Sequence, residues 1–188
     1  MIVKQMPIIH PDAIVSPDAT VSGHVLIGPG CRVQPGARIV AEGEGRIELG
    51  HMVIVLENAV IRATSRHDCR IGSHVLIGPH AHVVGATLDD DVFVATGASV
   101  FHGSHIGQGS ELRINAIVHI KTVLPQGSTV PIGWVAVGDP AQILSPDRHD
   151  EIWALQKPLD FPGFVYGVDR SRPDVMTAIT ERLSRELS

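Results

Sequence analysis

Along this chain, aliphatic side chains return every six residues. Ile9, Val15, Val21, Ile27, Val33 and Ile39 open the series, which resumes at Leu49, Val55 and Ile61 and again at Ile71, Ile77 and Val83. It runs on through Leu88, Val94, Val100, Ile106, Leu112, Val118, Leu124 and Val130. Four residues after most of these stands a small or β-branched side chain, as at Ala13, Ala19, Val25, Cys31, Ala37, Ala59, Ala81 and Ala98. A helix repeats its buried face about every 3.6 residues and a half-buried strand every second residue, so neither yields this period. A prism of short strands does. Each hexapeptide forms one flat side, its aliphatic residue points inward, and the partner four on fills the interior near a corner. Three sides close one turn, and stacked turns satisfy each other's edge hydrogen bonds. The pattern predicts an all-β solenoid over residues 1–144, a left-handed parallel β-helix of hexapeptide repeats.

Two segments break the period, VAEGEGRIE (40–48) and RATSRHDCR (62–70), and are expected to loop out of the column. The hexad at Val83 is one residue short, since Leu88 follows after five. VGDPAQIL (137–144) closes the repeat with a proline that cannot continue a ladder. Beyond it the pattern turns helical. DRHDEIWALQ (147–156) reads as a short helix, and a second begins at Pro173 with Val175, Met176, Ile179, Leu183 and Leu187 as its apolar stripe. Residues 145–188 are therefore expected to form a helical extension packed on the column. A Pro- and Gly-punctuated connection carrying Phe161, Phe164 and Tyr166 joins its two helices.

Composition supports the column. Of 188 residues 44% are hydrophobic but only 4% aromatic, which suits a core of Val, Ile and Ala. A net charge of −5 and the lack of any Lys/Arg run argue against a nucleic-acid or membrane surface. The N-terminal stretch has no uninterrupted apolar run, so neither a signal peptide nor a membrane span is expected. Cys31 and Cys69 make no disulfide framework, and a cytoplasmic protein is the expectation. Cys31 sits at an inward position. Cys69 lies beside Arg66, His67 and Arg70, cations that would lower a thiol pKa, and is a candidate nucleophile.

The chain has eleven histidines. In VLIGPHAHVVGA (75–86), His80 and His82 stand two apart, a spacing that projects both to one side of a strand. His102 falls one turn later, and trimer packing can bring it from one subunit toward His80 and His82 of another. His80, His82 and His102 are thus the candidate metal ligands, the alternative being that they are ordinary outward wall residues. Asp89-Asp90-Asp91 is either a solvated corner or a cation site.

The hexads with their shortened turn, followed by VAVGDPAQIL and a C-terminal helix, resemble the γ-class carbonic anhydrase family of the hexapeptide-repeat superfamily over most of residues 9–155. ARIVAEGEGRIELG (37–50) and VLENAVI (55–61) are also similar to the non-catalytic β-helical subunits of dynactin. The first resemblance implies a homotrimer with zinc or another divalent ion held by three histidines between adjacent subunits. Laid on the family's Gly-His…His-Gly-Cys frame, Gly78 to Ala86 places Pro79 and Val84 at two ligand positions; the third, after VLENAVI, is Arg62. The family's Arg-Gly-Asp run falls on Ala41-Glu42-Gly43, its water-orienting Gln on Leu56 and the neighbouring acid on Glu57. A zinc hydroxide needs three protein ligands and an open fourth position, which Pro79, Val84 and Arg62 do not supply. Arg62 and Glu57, flanking that place, are expected to form an intersubunit ion pair or hold a small anion.

The expectation is a γ-carbonic-anhydrase-like protein without the standard CO2 hydration activity, a lyase if active. A relocated histidine site for zinc or another divalent metal and the absence of any cofactor both stay open. An acyl-CoA-dependent acyltransferase of the same superfamily, with His102 or His80 as general base, is one alternative. A non-catalytic scaffold or assembly subunit using the exposed wall and the aromatic tail is another.

Overall fold

A computed structural model describes residues 6–186. Successive short strands fall in rotation on three walls, opened by Ile8–Ile9, Ile14–Val15 and Thr20–Ser22. Each strand pairs in parallel with the one a coil further on, so that Ile9 lies over Ile27, Val15 over Val33 and Val21 over Ile39. Two walls hold seven strands and the third holds eight. Every hexad aliphatic from Ile27 to Val130 is buried, stacked on its counterpart in the adjoining coils. At roughly 1.5–3 kcal/mol for each buried Val, Leu or Ile, this inner stack is the main force holding the column.

The two ends differ. Ile8, Ile9 and Ile14 of the first coil are exposed. At the far end the strand Gln142–Leu144 turns back antiparallel on Val135–Val137 and stops the parallel ladder.

The two breaks in the hexad loop out only in part. Strands Arg38–Ala41 and Arg46–Leu49 reach into the first from either end, and Val60–Ala63 and Cys69–Ile71 into the second. Their alternate residues Ala41, Ile47, Ala63 and Cys69 keep pointing inward, so the walls lengthen and only turns 42–45 and 64–68 project. Inward placement also overturns Cys69 as a nucleophile. Burial pushes its thiol up to about 12, and the flanking cations do not offset that. Cys31 is buried as its position requires.

One corner of the column is a stack of residues in the left-handed backbone region: Gly36, Asn58, His80, Gly97, Asn115 and Gly133. From Asn58 onward, each N–H donates to a carbonyl one coil back, on Pro35, Glu57, Pro79, Thr96 and Ile114 in turn. Glycine and asparagine tolerate this conformation, and His80 is the member that pays for it. The shortened turn is a second special place. Gly85 has φ +56°, and a Cβ there would lie 2.6 Å from the Cβ of His67.

The C-terminal extension consists of α1 (His149–Gln156), a 3₁₀ turn (Lys157–Leu159), a π-helical turn (Pro162–Tyr166) and α2 (Val175–Glu186). Ile152 of α1 packs on Val135, Val137 and Leu144. On α2, Ile179 is buried and Val175 and Leu183 are half-buried, whereas Met176 faces solvent; Leu187 lies outside the described residues. Among the described residues no helix is long and apolar enough to cross a membrane.

Candidate functional site

The outer face of the third wall collects the polar side chains that the core excludes. Strand alternation turns Ile61, Val83 and Val118 inward and leaves Arg62, His82 and His119 outside. Phe101 lies between two imidazoles, 6.4 Å from the ring of His82 and 6.5 Å from that of His119. His102 occupies the next corner and is buried. Its ring is 5.1 Å from that of His67, which the projecting turn 64–68 carries across the corner. The tail closes over this pair: Phe164 sits 4.7 Å from His67, and the Lys121 ammonium lies 4.2 Å over the Phe164 ring.

The electrostatics follow from burial. Desolvation, then the neighbouring His67, Arg62 and His82, bring His102 down to about 4. His67, His82 and His119 are also lowered, in each case mainly by burial, with Arg66 adding to the effect at His67 and Arg62 at His82. All four rings are therefore neutral at pH 7. The Nδ1 atoms of His67, His102 and His119 are buried without a hydrogen-bond partner.

His82 and His102 share this region, but His80 does not lie on a strand with His82. It holds the left-handed corner, with φ +57° and an exposed side chain. The H-x-H spacing fails as a same-side signal because the corner falls between the two residues. Among the described residues of one chain, no group of three or more His, Cys, Asp or Glu side chains is arranged to hold a metal ion.

Of the positions that the resemblance assigns to the family's ligands, Arg62 and Val84 are register partners on neighbouring strands, and Pro79 stands at the corner beside His80. Val84 is buried. Arg62 donates from Nε and Nη2 to the two carboxylate oxygens of Glu42 at 2.7 and 2.6 Å. A pyrrolidine ring, an isopropyl group and a guanidinium offer no lone pair to a cation, so these residues do not fit the family's metal. Glu57 is an exposed corner residue, and within one chain Arg62 pairs with Glu42 instead. In the acid run, Asp89 pairs with His105 at 2.9 Å, Asp90 accepts the Ser73 N–H and Asp91 accepts from Gln108.

Between wall and tail lies a cavity of about 590 Å³ lined by Phe101, His119, Trp153, Phe161 and Arg170. The Arg170 guanidinium stacks 5.1 Å from the Trp153 ring and donates to the Lys157 carbonyl. His119 belongs to this site and was legible from alternation after Ile117. His67 was not, since its place depends on how the turn 64–68 folds.

No protein-family profile matches the chain. The gamma carbonic anhydrase 2, mitochondrial, of Arabidopsis thaliana is 30% identical over 82 residues, which are 44% of this chain and 27% of that protein. An uncharacterized protein of Dictyostelium discoideum is 26% identical over 116 residues, 59% of this chain and 45% of that one. The match thus spans less than half of either curated relative's length. Among solved structures, a hexapeptide transferase family protein from Anaplasma phagocytophilum superposes with a TM-score of 0.52 at 22% identity, covering 95% of this chain and 92% of the other. A putative acetyltransferase from Bacillus cereus gives a TM-score of 0.53 at 16% identity, with 98% and 94% coverage. Structural likeness at these identities defines the fold class, the hexapeptide-repeat left-handed β-helix. The likeness to the gamma carbonic anhydrase is confined to those 82 residues.

Proposed function

We propose that this γ-carbonic-anhydrase-like protein does not hydrate CO2 at the family's metal centre. The observation that carries this reading is the Arg62–Glu42 pair beside buried Val84, residues that the resemblance sets at the family's histidine positions. A guanidinium held there by two hydrogen bonds repels a divalent cation instead of ligating it. The test is CO2 hydration by stopped flow, on protein loaded in turn with zinc, cobalt and iron(II). The expected rate equals that of buffer, and a chelator-sensitive rate overturns the proposal.

A displaced metal site is the second reading. It is favoured by His82 and His102 being neighbours, with the Nδ1 of His102 buried and unpartnered. One chain brings two imidazoles, and a homotrimer would bring the remaining ligand from a neighbour, a role open to exposed His80. Elemental analysis of the parent beside His82→Ala and His102→Ala tests it: metal present in the parent and lost in both variants supports this site, and a metal-free parent removes it. An acyltransferase role is weakened at His102, because an imidazole with a pKa of about 4 is a poor general base near neutrality. That role passes to His80, and absence of thermal stabilisation by CoA argues against it.

A further inference from the structure

Beneath α2 lies a separate, partly open cavity of about 170 Å³, lined by more guanidiniums than carboxylates among the described residues. Its floor is the third wall at Glu42, Arg62 and His102, and one side is the projecting turn that carries Arg66. Its roof is α2, with Arg182 and Glu186. Two guanidiniums converge beside Gly167: a Cβ on that glycine would lie 2.2 Å from Arg66 Nη1 and 2.8 Å from Arg182 Nη1. Like charges this close repel unless an anion lies between them.

The carboxylates in the cavity are engaged elsewhere. Glu42 is held by Arg62, and Glu186 accepts from Nε of Arg182 at 2.6 Å, leaving the Nη1 of Arg182 toward the gap. No carboxylate lies within ion-pair distance of Arg66 among the described residues. His102, only 6% exposed, lines the same space, and its Nδ1 has no partner. Three guanidiniums thus face two carboxylates and a neutral imidazole able to donate one hydrogen bond.

We propose that this cavity binds a small oxyanion, gripped by Arg66 and Arg182 and completed by His102. Forked guanidiniums match the oxygen pairs of phosphates and carboxylates. The volume falls below the roughly 300–1,000 Å³ of sites for drug-sized ligands, so the ligand is a phosphate or a short dicarboxylate. Bound there, it ties the turn 64–68 to α2 and fastens the tail to the column. The arginine grip needs no metal, but His102 is common to this site and to the displaced-metal reading.

Isothermal titration calorimetry of the full chain, with inorganic phosphate and with malonate at constant ionic strength in chloride buffer, tests the site. Saturable one-site binding of at least one probe is expected, and the tighter probe identifies the oxyanion class. Arg66→Gln and Arg182→Gln are each expected to weaken it about tenfold or more, while Arg66→Lys keeps part of the affinity. In chloride alone, Arg66→Gln is expected to unfold no earlier than the parent, because it relieves a repulsion. Absence of saturable heat with both probes, binding unchanged in Arg66→Gln, or a less stable Arg66→Gln protein in chloride overturns the proposal.

Discussion

His80 and His82 stand one residue apart in sequence, yet a corner of the prism divides them. His80 takes a backbone conformation that glycine or asparagine holds in the coils above and below. Replacing His80 with Gly is therefore expected to leave stability unchanged or raise it by up to about 1 kcal/mol in urea denaturation. A larger loss would show that the imidazole itself is needed. His102 carries the opposite expectation. An unfolded histidine titrates near 6.5 and His102 in the fold near 4, so between these values the unfolded chain binds the additional proton. The stability contributed by the neutral ring is present above pH 6.5 and is lost as the pH falls toward 4, to a limit on the order of 3 kcal/mol. Denaturation at pH 7 and at pH 4.5 measures it. His102→Asn should show a shallower decline, with His67, His82 and His119 sustaining what remains; an unchanged decline would refute the assignment.

At the scale of elements, spacing was informative where the turn length was constant and failed where it varied. The neighbourhood of Arg62 and Val84 was legible, because the short hexad at Val83 sets which strands lie side by side. The partner of Arg62 was not, since Glu42 lies 20 residues back and the register across that coil depends on how much chain the turn 42–45 absorbs. The same uncertainty hid the strands inside 40–48 and 62–70, where Ala41 and Ala63 extend the inward alternation beyond one hexad. The tail was legible as helices but not as the cover of a particular face. Phe164, half-buried on His67, is central to that cover. Phe164→Ala is expected to cost about 1–3 kcal/mol locally, seen as faster amide exchange over 160–186 with the column unchanged. Uniformly faster exchange throughout would mean that tail and column open together.

For the whole molecule, the period of six was sufficient to predict the solenoid, because each coil's interior repeats the same small inventory of side chains. The end of the repeat was visible at VGDPAQIL, whereas the antiparallel return of Gln142–Leu144 was not, since a strand that reverses direction leaves no mark on the spacing. Nearest-neighbour stacking makes stability additive along such a column. Hydrogen exchange should accordingly be fastest in the first coil, where Ile8, Ile9 and Ile14 are exposed, and slowest around Ile61 to Val118. Equal protection from end to end would contradict this gradient.

That single stopper has a further meaning for how the chain can change. Since the inner stack of each coil rests on its neighbours, the height of the column is a tally of layers, and the returning strand ends the tally wherever it falls. A chain without residues 89–106 would set Leu88 beneath the segment that now follows Ile106, and the same lid would close a shorter tower. The family of shapes open to this sequence is a staircase with one landing, which can gain or lose a step without being redesigned.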